Sequence, residues 1–189
     1  MADVPPFPNG PFGVIYADPP WGYTFKSPTG SKRPNYVNGA VDYYPTMKTE
    51  EVKCLNVAGL AAKDAVLFLW ATVPMLPDAF DVMKAWGFTY KTMVVWHKLR
   101  CKGMGYWFRG HAELLLLGVR GHVKPFRSLL HNVQAVQVLR HSVKPDEFRR
   151  IIEGVTPEMR RIELFARQAV RDWAVWGLEA PKHEEAEKV

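Results

Sequence analysis

The chain has little of what builds disulfide-linked, metal-binding or membrane-spanning proteins. Only two cysteines, Cys54 and Cys101, occur among its 189 residues. They form no CxxC pair and have no His or Cys cluster around them, so neither a disulfide framework nor a metal site is expected. The longest apolar runs, residues 65–71 and 114–119, fall well short of the roughly 18 residues of a membrane-spanning helix. The sequence therefore predicts a globular protein without a metal or a membrane segment.

Secretion signals and acidic character are missing as well. The opening Met-Ala-Asp-Val-Pro-Pro has neither a basic nor an apolar segment, so a cytoplasmic location is expected. The net charge is +6, which suits an acidic partner such as nucleic acid and also suits a merely soluble surface. The length and the hydrophobic content of 48% predict one domain over residues 1–180, with a flexible charged tail at 181–189.

Strand patterns alternate with helix patterns along the chain, which is typical of an α/β fold with a mostly parallel sheet and helices on both faces. The predicted strands are residues 14–17, 65–71, 89–97, 113–119, 133–138, 161–166 and 172–176. Three helices are predicted. The first starts at Thr49, which can cap it, the second spans residues 75–86, and the third begins at Pro145 and stops at Gly154. Ligands of such sheets bind at the carboxyl ends of the strands, where Asp18, Arg167 and Glu179 fall.

The stretch after the first strand has an unusual chemistry. Asp18 is followed by Pro19 and Pro20, which fix their own φ angles and carry no N–H, and then by Trp21. A carboxylate and bare carbonyls can accept hydrogen bonds from an amino group while an aromatic ring stacks on a flat base. We interpret this tip as a device that holds an amino-purine or amino-pyrimidine.

Two long connections are candidates for substrate contacts. Residues 22–44 follow the tip directly and are predicted to form a lid, although a surface insertion would have the same composition. Residues 98–111 interleave cations and aromatic rings with glycines, a mixture that suits phosphates and stacked bases. The alternative is a solvated loop whose aromatic residues pack on the core. The predicted substrate contacts are Tyr23, Tyr44, Lys98, Tyr106, Trp107, Arg109 and His111.

An ordered series of motifs resembles the adenine-N(6) methyltransferases named after the large subunit of the eukaryotic messenger-RNA methyltransferase. The series begins with Asp18-Pro19-Pro20-Trp21 and continues in order over residues 13–179. Its other members are Tyr44-Pro45-Thr46-Met47, Leu67-Phe68-Leu69-Trp70, Gly105-Tyr106-Trp107, Glu113-Leu114-Leu115, His141-Ser142-Val143-Lys144-Pro145-Asp146-Glu147, Glu163-Leu164-Phe165-Ala166-Arg167 and Trp176-Gly177.

This resemblance implies a fold, a cofactor and a reaction. The fold is Rossmann-like and circularly permuted, with the catalytic strand first and the strand that binds S-adenosyl-L-methionine (AdoMet) near the C-terminus. The reaction moves a methyl group from AdoMet to the exocyclic amine of adenine. By resemblance the catalytic residues are Asp18, Pro19, Pro20 and Trp21, with the base stacked by Trp21 and Tyr44. The implied AdoMet contacts are Asp18, Lys144, Glu163, Leu164, Arg167 and Glu179.

The chain departs from the family pattern in one motif and leaves the substrate open. Gln168 and Ala169 stand where eukaryotic relatives carry His-Asn, so ribose contacts there are expected to differ. A Gly-rich loop is also missing, which is tolerable because AdoMet has no phosphates to cradle. DNA is the favoured substrate, RNA is the nearest alternative, and a catalytically inactive nucleic-acid-binding subunit is an alternative of another class. A homodimer is possible.

Overall fold

The structure, a computed structural model, describes residues 5–22, 46–103, 107–138 and 143–180. These residues form a sheet of seven strands in the order β5-β3-β4-β2-β1-β6-β7. The strands are β1 (Phe12–Ala17), β2 (Ala61–Thr72), β3 (Thr89–Leu99), β4 (Ala112–Arg120), β5 (Val133–Gln137), β6 (Arg161–Leu164) and β7 (Trp173–Trp176). The helices are α1 (Thr49–Lys53), α2 (Val57–Leu60), α3 (Leu76–Ala85) and α4 (Asp146–Val155).

The sheet is mostly parallel, which confirms the prediction. Only β4 runs against its neighbours, since it pairs antiparallel with both β2 and β3 while the other four pairings are parallel. The carboxyl ends of the six parallel strands therefore lie at one edge of the sheet. The first residues of β4 lie at that edge too, because Glu113 pairs with Thr72 at the end of β2.

Apolar side chains cover both faces of the sheet. On β2, Leu67 and Leu69 enter one core cluster, whereas Phe68 and Trp70 enter the other, as the two-residue repeat of a strand requires. Helix α3 packs into the first cluster with its buried Ala79, Val82 and Met83, and α4 into the second with Phe148 and Ile152. Helices on both faces were predicted, and this is confirmed.

Several predicted boundaries were wrong by a few residues. Helix α1 starts at Thr49, as predicted, but its cap is Lys48, and the Thr49 hydroxyl instead donates to Asp78 Oδ1 at 2.6 Å. Helix α4 continues past Gly154 to Val155. Strand β6 ends at Leu164 instead of residue 166, since Phe165 has a φ of 62° that breaks the extended chain.

No helix in the described ranges is long and apolar enough to cross a membrane. The predicted lid at 22–44 lies outside the described residues, apart from Gly22. The predicted tail at 181–189 lies outside them as well.

Candidate active site

The Asp-Pro-Pro-Trp tip is held rigidly at the end of β1. The Trp21 N–H donates to the Pro19 carbonyl at 2.8 Å, and the Pro20 carbonyl accepts from the Met47 N–H at 2.9 Å. A parallel bridge between Trp21 and Met47 adds a bond from the Gly22 N–H to the Met47 carbonyl at 3.1 Å. Because the backbone is fixed on both sides, the position of the Asp18 carboxylate depends little on the loop that follows.

The ring of Trp21 belongs to the core. It is 4% exposed, and its Nε1 donates to the Trp70 carbonyl at 2.9 Å at the end of β2. A ring this buried has no open face in the present arrangement. Base stacking by Trp21 stays a prediction that requires its ring to be uncovered, and its observed role is to anchor the tip to β2.

Four charged side chains alternate in sign beside the tip, and we call this set the charge network: Lys98, Glu113, Lys144 and Asp18. Lys144 Nζ lies 2.7 Å from both carboxylate oxygens of Asp18 and 3.3 Å from Glu113 Oε2. Lys98 forms an ion pair with Glu113 Oε1. The side chains are between 15% and 28% exposed, so water screens them poorly.

Three strand ends and one loop bring these side chains together. Asp18 follows β1, Lys98 is near the end of β3, and Glu113 is near the start of the antiparallel β4. Lys144 comes from far along the chain, just before α4. Each cation also makes a cation–π contact. Lys144 Nζ is 5.3 Å from the centroid of the Trp70 ring, and Lys98 Nζ is 4.8 Å from that of Trp96.

Burial and pairing shift the pKa values of the network in different directions. Burial raises the pKa of Asp18 above its usual value, and Lys144 offsets only part of that effect. Burial also acts on Glu113, but the two lysines outweigh it and lower the pKa of that carboxyl. For Lys144, burial is outweighed by Asp18 and Glu113, which together raise its pKa. Lys144 is therefore firmly a cation, whereas Asp18 is the carboxyl that takes up a proton most readily.

A second ion pair, partly buried, joins α4 to β6, the strand next to β1. Arg149 of α4 reaches Glu163 of β6, with Nη2 at 3.0 Å and Nε at 3.2 Å from Glu163 Oε2. Arg149 also pairs with Asp146 in the first turn of α4. The Glu163 carboxylate, predicted to contact AdoMet, is thus held by a residue that the sequence analysis did not single out.

The other predicted cofactor residues differ in accessibility. Leu164 is fully buried in the core, so only its backbone can face a ligand. Arg167 and Glu179 follow β6 and β7, and Arg167 Nε lies 3.9 Å from Glu179 Oε2 with both side chains well exposed. They therefore lie beside each other at the same edge of the sheet as Asp18, as predicted.

The predicted substrate residues are only partly described. Lys98 belongs to the charge network, while Trp107 and Arg109 lie on the exposed loop between β3 and β4. The His111 carbonyl accepts from the Lys98 N–H at 2.8 Å at the base of that loop. The predictions for Tyr23, Tyr44 and Tyr106 lie outside the described residues.

Comparison with known families accounts for this geometry. The MT-A70 family model matches residues 12–179. The chain belongs to the MT-A70 family. The fold is accordingly that of the AdoMet-dependent methyltransferases of this family, as the resemblance implied.

Individual MT-A70 relatives are similar over most of the chain. A type II methyltransferase, M.MunI, from Mycoplasma sp is 36% identical, over 94% of this chain and 81% of the relative. An N(6)-adenosine-methyltransferase MT-A70-like protein from Arabidopsis thaliana is 30% identical over 84% of this chain. The human N(6)-adenosine-methyltransferase catalytic subunit METTL3 is 31% identical over the same share. This chain spans 22% and 26% of the length of those two proteins.

Two residues of the site were missed from the sequence. Glu113 was quoted among the motifs, but its role depends on the antiparallel direction of β4. That direction brings the start of β4 to the active edge, the edge of the sheet where Asp18 lies. Arg149 gave no motif signal, since an arginine in the second turn of an amphipathic helix is usually a surface residue. Only its side-chain exposure of 13% and its contact with Glu163 identify it.

Proposed function

We propose that this MT-A70 protein is a DNA methyltransferase that moves a methyl group from AdoMet to the 6-amino group of adenine. The observation that carries the proposal is the Asp18 carboxylate, fixed at the end of β1 with Lys144 against both of its oxygens. A carboxylate has about four acceptor sites. Lys144 occupies one on each oxygen, so each oxygen keeps a site for an N–H of an amine.

The residues present fit AdoMet by their chemistry. Lys144 is a firmly protonated cation that suits the carboxylate of the methionine part, and Asp18 suits its ammonium group. Glu179 is an exposed carboxylate beside Arg167, a pairing that suits a ribose diol. When bound, AdoMet supplies an electrophilic methyl group on a sulfonium.

The protein's contribution to the reaction is positioning and charge. The lone pair of an aromatic amine is delocalised into its ring, which makes the amine a poor nucleophile. Hydrogen bonds from that amine to Asp18 hold the nitrogen with its lone pair directed away from the carboxylate, and the negative charge complements the positive charge that develops on nitrogen. The methyl group replaces one hydrogen, and Asp18, whose pKa burial raises, is placed to take the released proton.

DNA is proposed over RNA because of the extent of the likeness. The type II methyltransferase relative matches this chain nearly end to end, whereas the adenosine methyltransferases contain about four times as much chain. A non-catalytic subunit would not require a carboxylate and a lysine held in contact beside the tip. Both are present here.

The proposal is tested by transfer of labelled methyl from AdoMet to duplex DNA, single-stranded DNA and RNA of random sequence. Digestion to nucleosides should place the label on N6-methyldeoxyadenosine. Label on RNA alone would overturn the choice of DNA. Absence of label on all three polymers, together with no AdoMet binding by calorimetry, would refute the enzyme.

The pH dependence of transfer gives a second prediction, because only the ionised Asp18 offers both oxygens as acceptors and carries the negative charge. Turnover should fall as the pH falls through the raised pKa of Asp18. Burial is the main cause of that raised pKa, and the charge of Glu113 adds to it. Glu113→Gln removes that charge, so the acidic limb of the kcat profile should move to lower pH. Glu147→Gln, an exposed neighbour on α4, is the control and should leave the limb in place. An acidic limb that stays at the same pH, or moves to higher pH, in Glu113→Gln would contradict the assignment to Asp18.

A further inference from the structure

Two adjacent aromatic side chains project into solvent at the active edge. Trp107 is 92% exposed and Phe108 is 90% exposed. Tyr90, at 37%, is the only other aromatic among the exposed large hydrophobic residues of the described ranges. Fully exposed aromatic pairs cost solvation free energy in a free protein, so this pair indicates a surface that is covered by a partner.

The loop that carries the aromatic pair starts and ends at the same edge of the sheet as Asp18. The loop that carries it joins the end of β3 to the start of β4, and a bond from Lys98 N–H to the His111 carbonyl closes its base. Strand β4 is two places from β1 in the sheet, a separation of about 10 Å at normal strand spacing. The major groove of DNA is about 12 Å wide, so one duplex can contact both the base of this loop and Asp18.

The charge around the pair fits the backbone of a nucleic acid. Arg100, Lys102 and Arg109 flank the two rings, and the sequence has no Asp or Glu between Lys98 and Ala112. An apolar protein partner would not require this excess of cations, whereas phosphates on either side of a base step would match it.

We propose that Trp107 and Phe108 form a wedge that enters duplex DNA at the target adenine and fills the space that the flipped base leaves. This inference rests on the proposed function, since only an enzyme that acts on a paired adenine must extrude it. An amine in a stacked, paired base cannot reach a carboxylate at the end of a strand. Apolar side chains inserted at a base step are a general way to unstack it.

The test compares three substrates of one sequence, selected for binding from a random duplex pool: a paired duplex, the same duplex with an abasic site opposite the target, and the single strand. The double variant Trp107→Ala/Phe108→Ala should lose about 10- to 100-fold in kcat/KM on the paired duplex, the range expected for lost base stacking. Its loss on the single strand should be under about threefold, and the abasic duplex should recover most of the activity. Trp107→Phe should retain more duplex activity than Trp107→Ala.

Leu129→Ala is the matched control, since Leu129 is 98% exposed but lies on the loop between the far end of β4 and the start of β5. It should leave activity on all three substrates unchanged. Equal losses of the double variant on paired and single-stranded substrates would overturn the wedge and assign the rings to general substrate contact. Unchanged duplex activity, or a parent active only on single strands, would also overturn it.

A fluorescence measurement separates this inference from the proposed function. With 2-aminopurine placed at each adenine of the selected sequence in turn, binding of the parent should raise the emission at one position through unstacking, and binding of the double variant should not. This measurement needs no methyl transfer, so it decides on the wedge even if the parent methylates nothing. A parent that flips the base without transfer would refute the proposed reaction and keep the wedge.

Discussion

Asp18→Asn is expected to lower kcat for methyl transfer by about 10²- to 10³-fold, the usual cost of removing one fixed electrostatic partner of a transition state. Asparagine has nearly the shape of aspartate but carries no charge, and its NH₂ group donates where the amine also donates. The nitrogen then loses one of its two acceptor oxygens and the negative charge that complements its developing positive charge.

The fold should survive this substitution. Lys144 would lose one carboxylate but would keep Glu113, 3.3 Å away, so no cation is left buried without a partner. The Asp18 carboxylate is itself disfavoured by burial, which raises its pKa, and a neutral side chain relieves that cost. We expect the melting temperature of Asp18→Asn to stay within a few degrees of the parent.

Single-turnover rates with saturating AdoMet and DNA, together with thermal melting, check this prediction. Asp172→Asn provides the matched control, because Asp172 is 80% exposed and lies at the opposite edge, just before β7. Its φ of 62° is tolerated by asparagine. Near-parental transfer by Asp18→Asn would show that the carboxylate is not the amine acceptor, and the proposed mechanism would fail.

The charge network offsets the free-energy cost of partly burying the Asp18 carboxylate. Asp18 and Glu113 would repel each other without Lys144 between them, and Lys98 balances the second carboxylate. The formal sum of the four charges is zero. Burying a neutral network costs less free energy than burying a lone anion. The network still places the negative charge of Asp18 at the end of β1.

Much of the fold followed from the sequence because the signals were local. Proline pairs end strands and apolar runs build buried ones, so β1 and the position of Asp18 were predictable. Helix α3 was predicted within a residue or two because Gly87, with a φ of 81°, marks its end. The antiparallel direction of β4 was not predictable, because the pairing partner of a strand depends on the whole sheet.

Site residues were predictable where a sequence motif contained them. They were not predictable where their position depended on how the strands pair in the sheet. Asp18 and Lys144 are 126 positions apart, and only the motif order suggested that they act together. The contact of the lysine with AdoMet stays a prediction, and the structure places the lysine against Asp18. Trp21 looked like a stacking ring because sequence gives no measure of burial, and the structure places it in the core.

Arg149→Ala is expected to cost about 3–5 kcal/mol of folding stability, because it leaves the mostly buried Glu163 carboxylate without its cation. The side chains of the pair are 13% and 15% exposed, so solvent replaces little of the lost interaction. For a chain of this size that loss corresponds to a fall of about 6–20 °C in melting temperature. Arg150→Ala, the exposed neighbour on α4, should fall by no more than about 2 °C.

The sign of the pH dependence distinguishes a stranded carboxylate from a simple loss of packing. Burial already raises the pKa of Glu163 and Arg149 opposes that rise, so removing Arg149 raises the pKa further. The destabilisation is therefore fully present above that raised pKa and is relieved as the pH falls through it, because the protonated acid needs no cation. The difference in melting temperature between parent and Arg149→Ala should shrink in acid, and a difference independent of pH would contradict this explanation.

Removing both partners should restore much of the stability. In Arg149→Met/Glu163→Gln neither charge remains, and replacement of a buried ion pair by neutral groups is often close to neutral in free energy. Helix α4 starts two residues after Lys144, so its attachment to β6 also fixes the cation that holds Asp18. The double variant should therefore melt near the parent, while methyl transfer should stay reduced because Glu163 is also a predicted AdoMet contact. Full recovery of transfer would show that Glu163 is not needed to bind AdoMet.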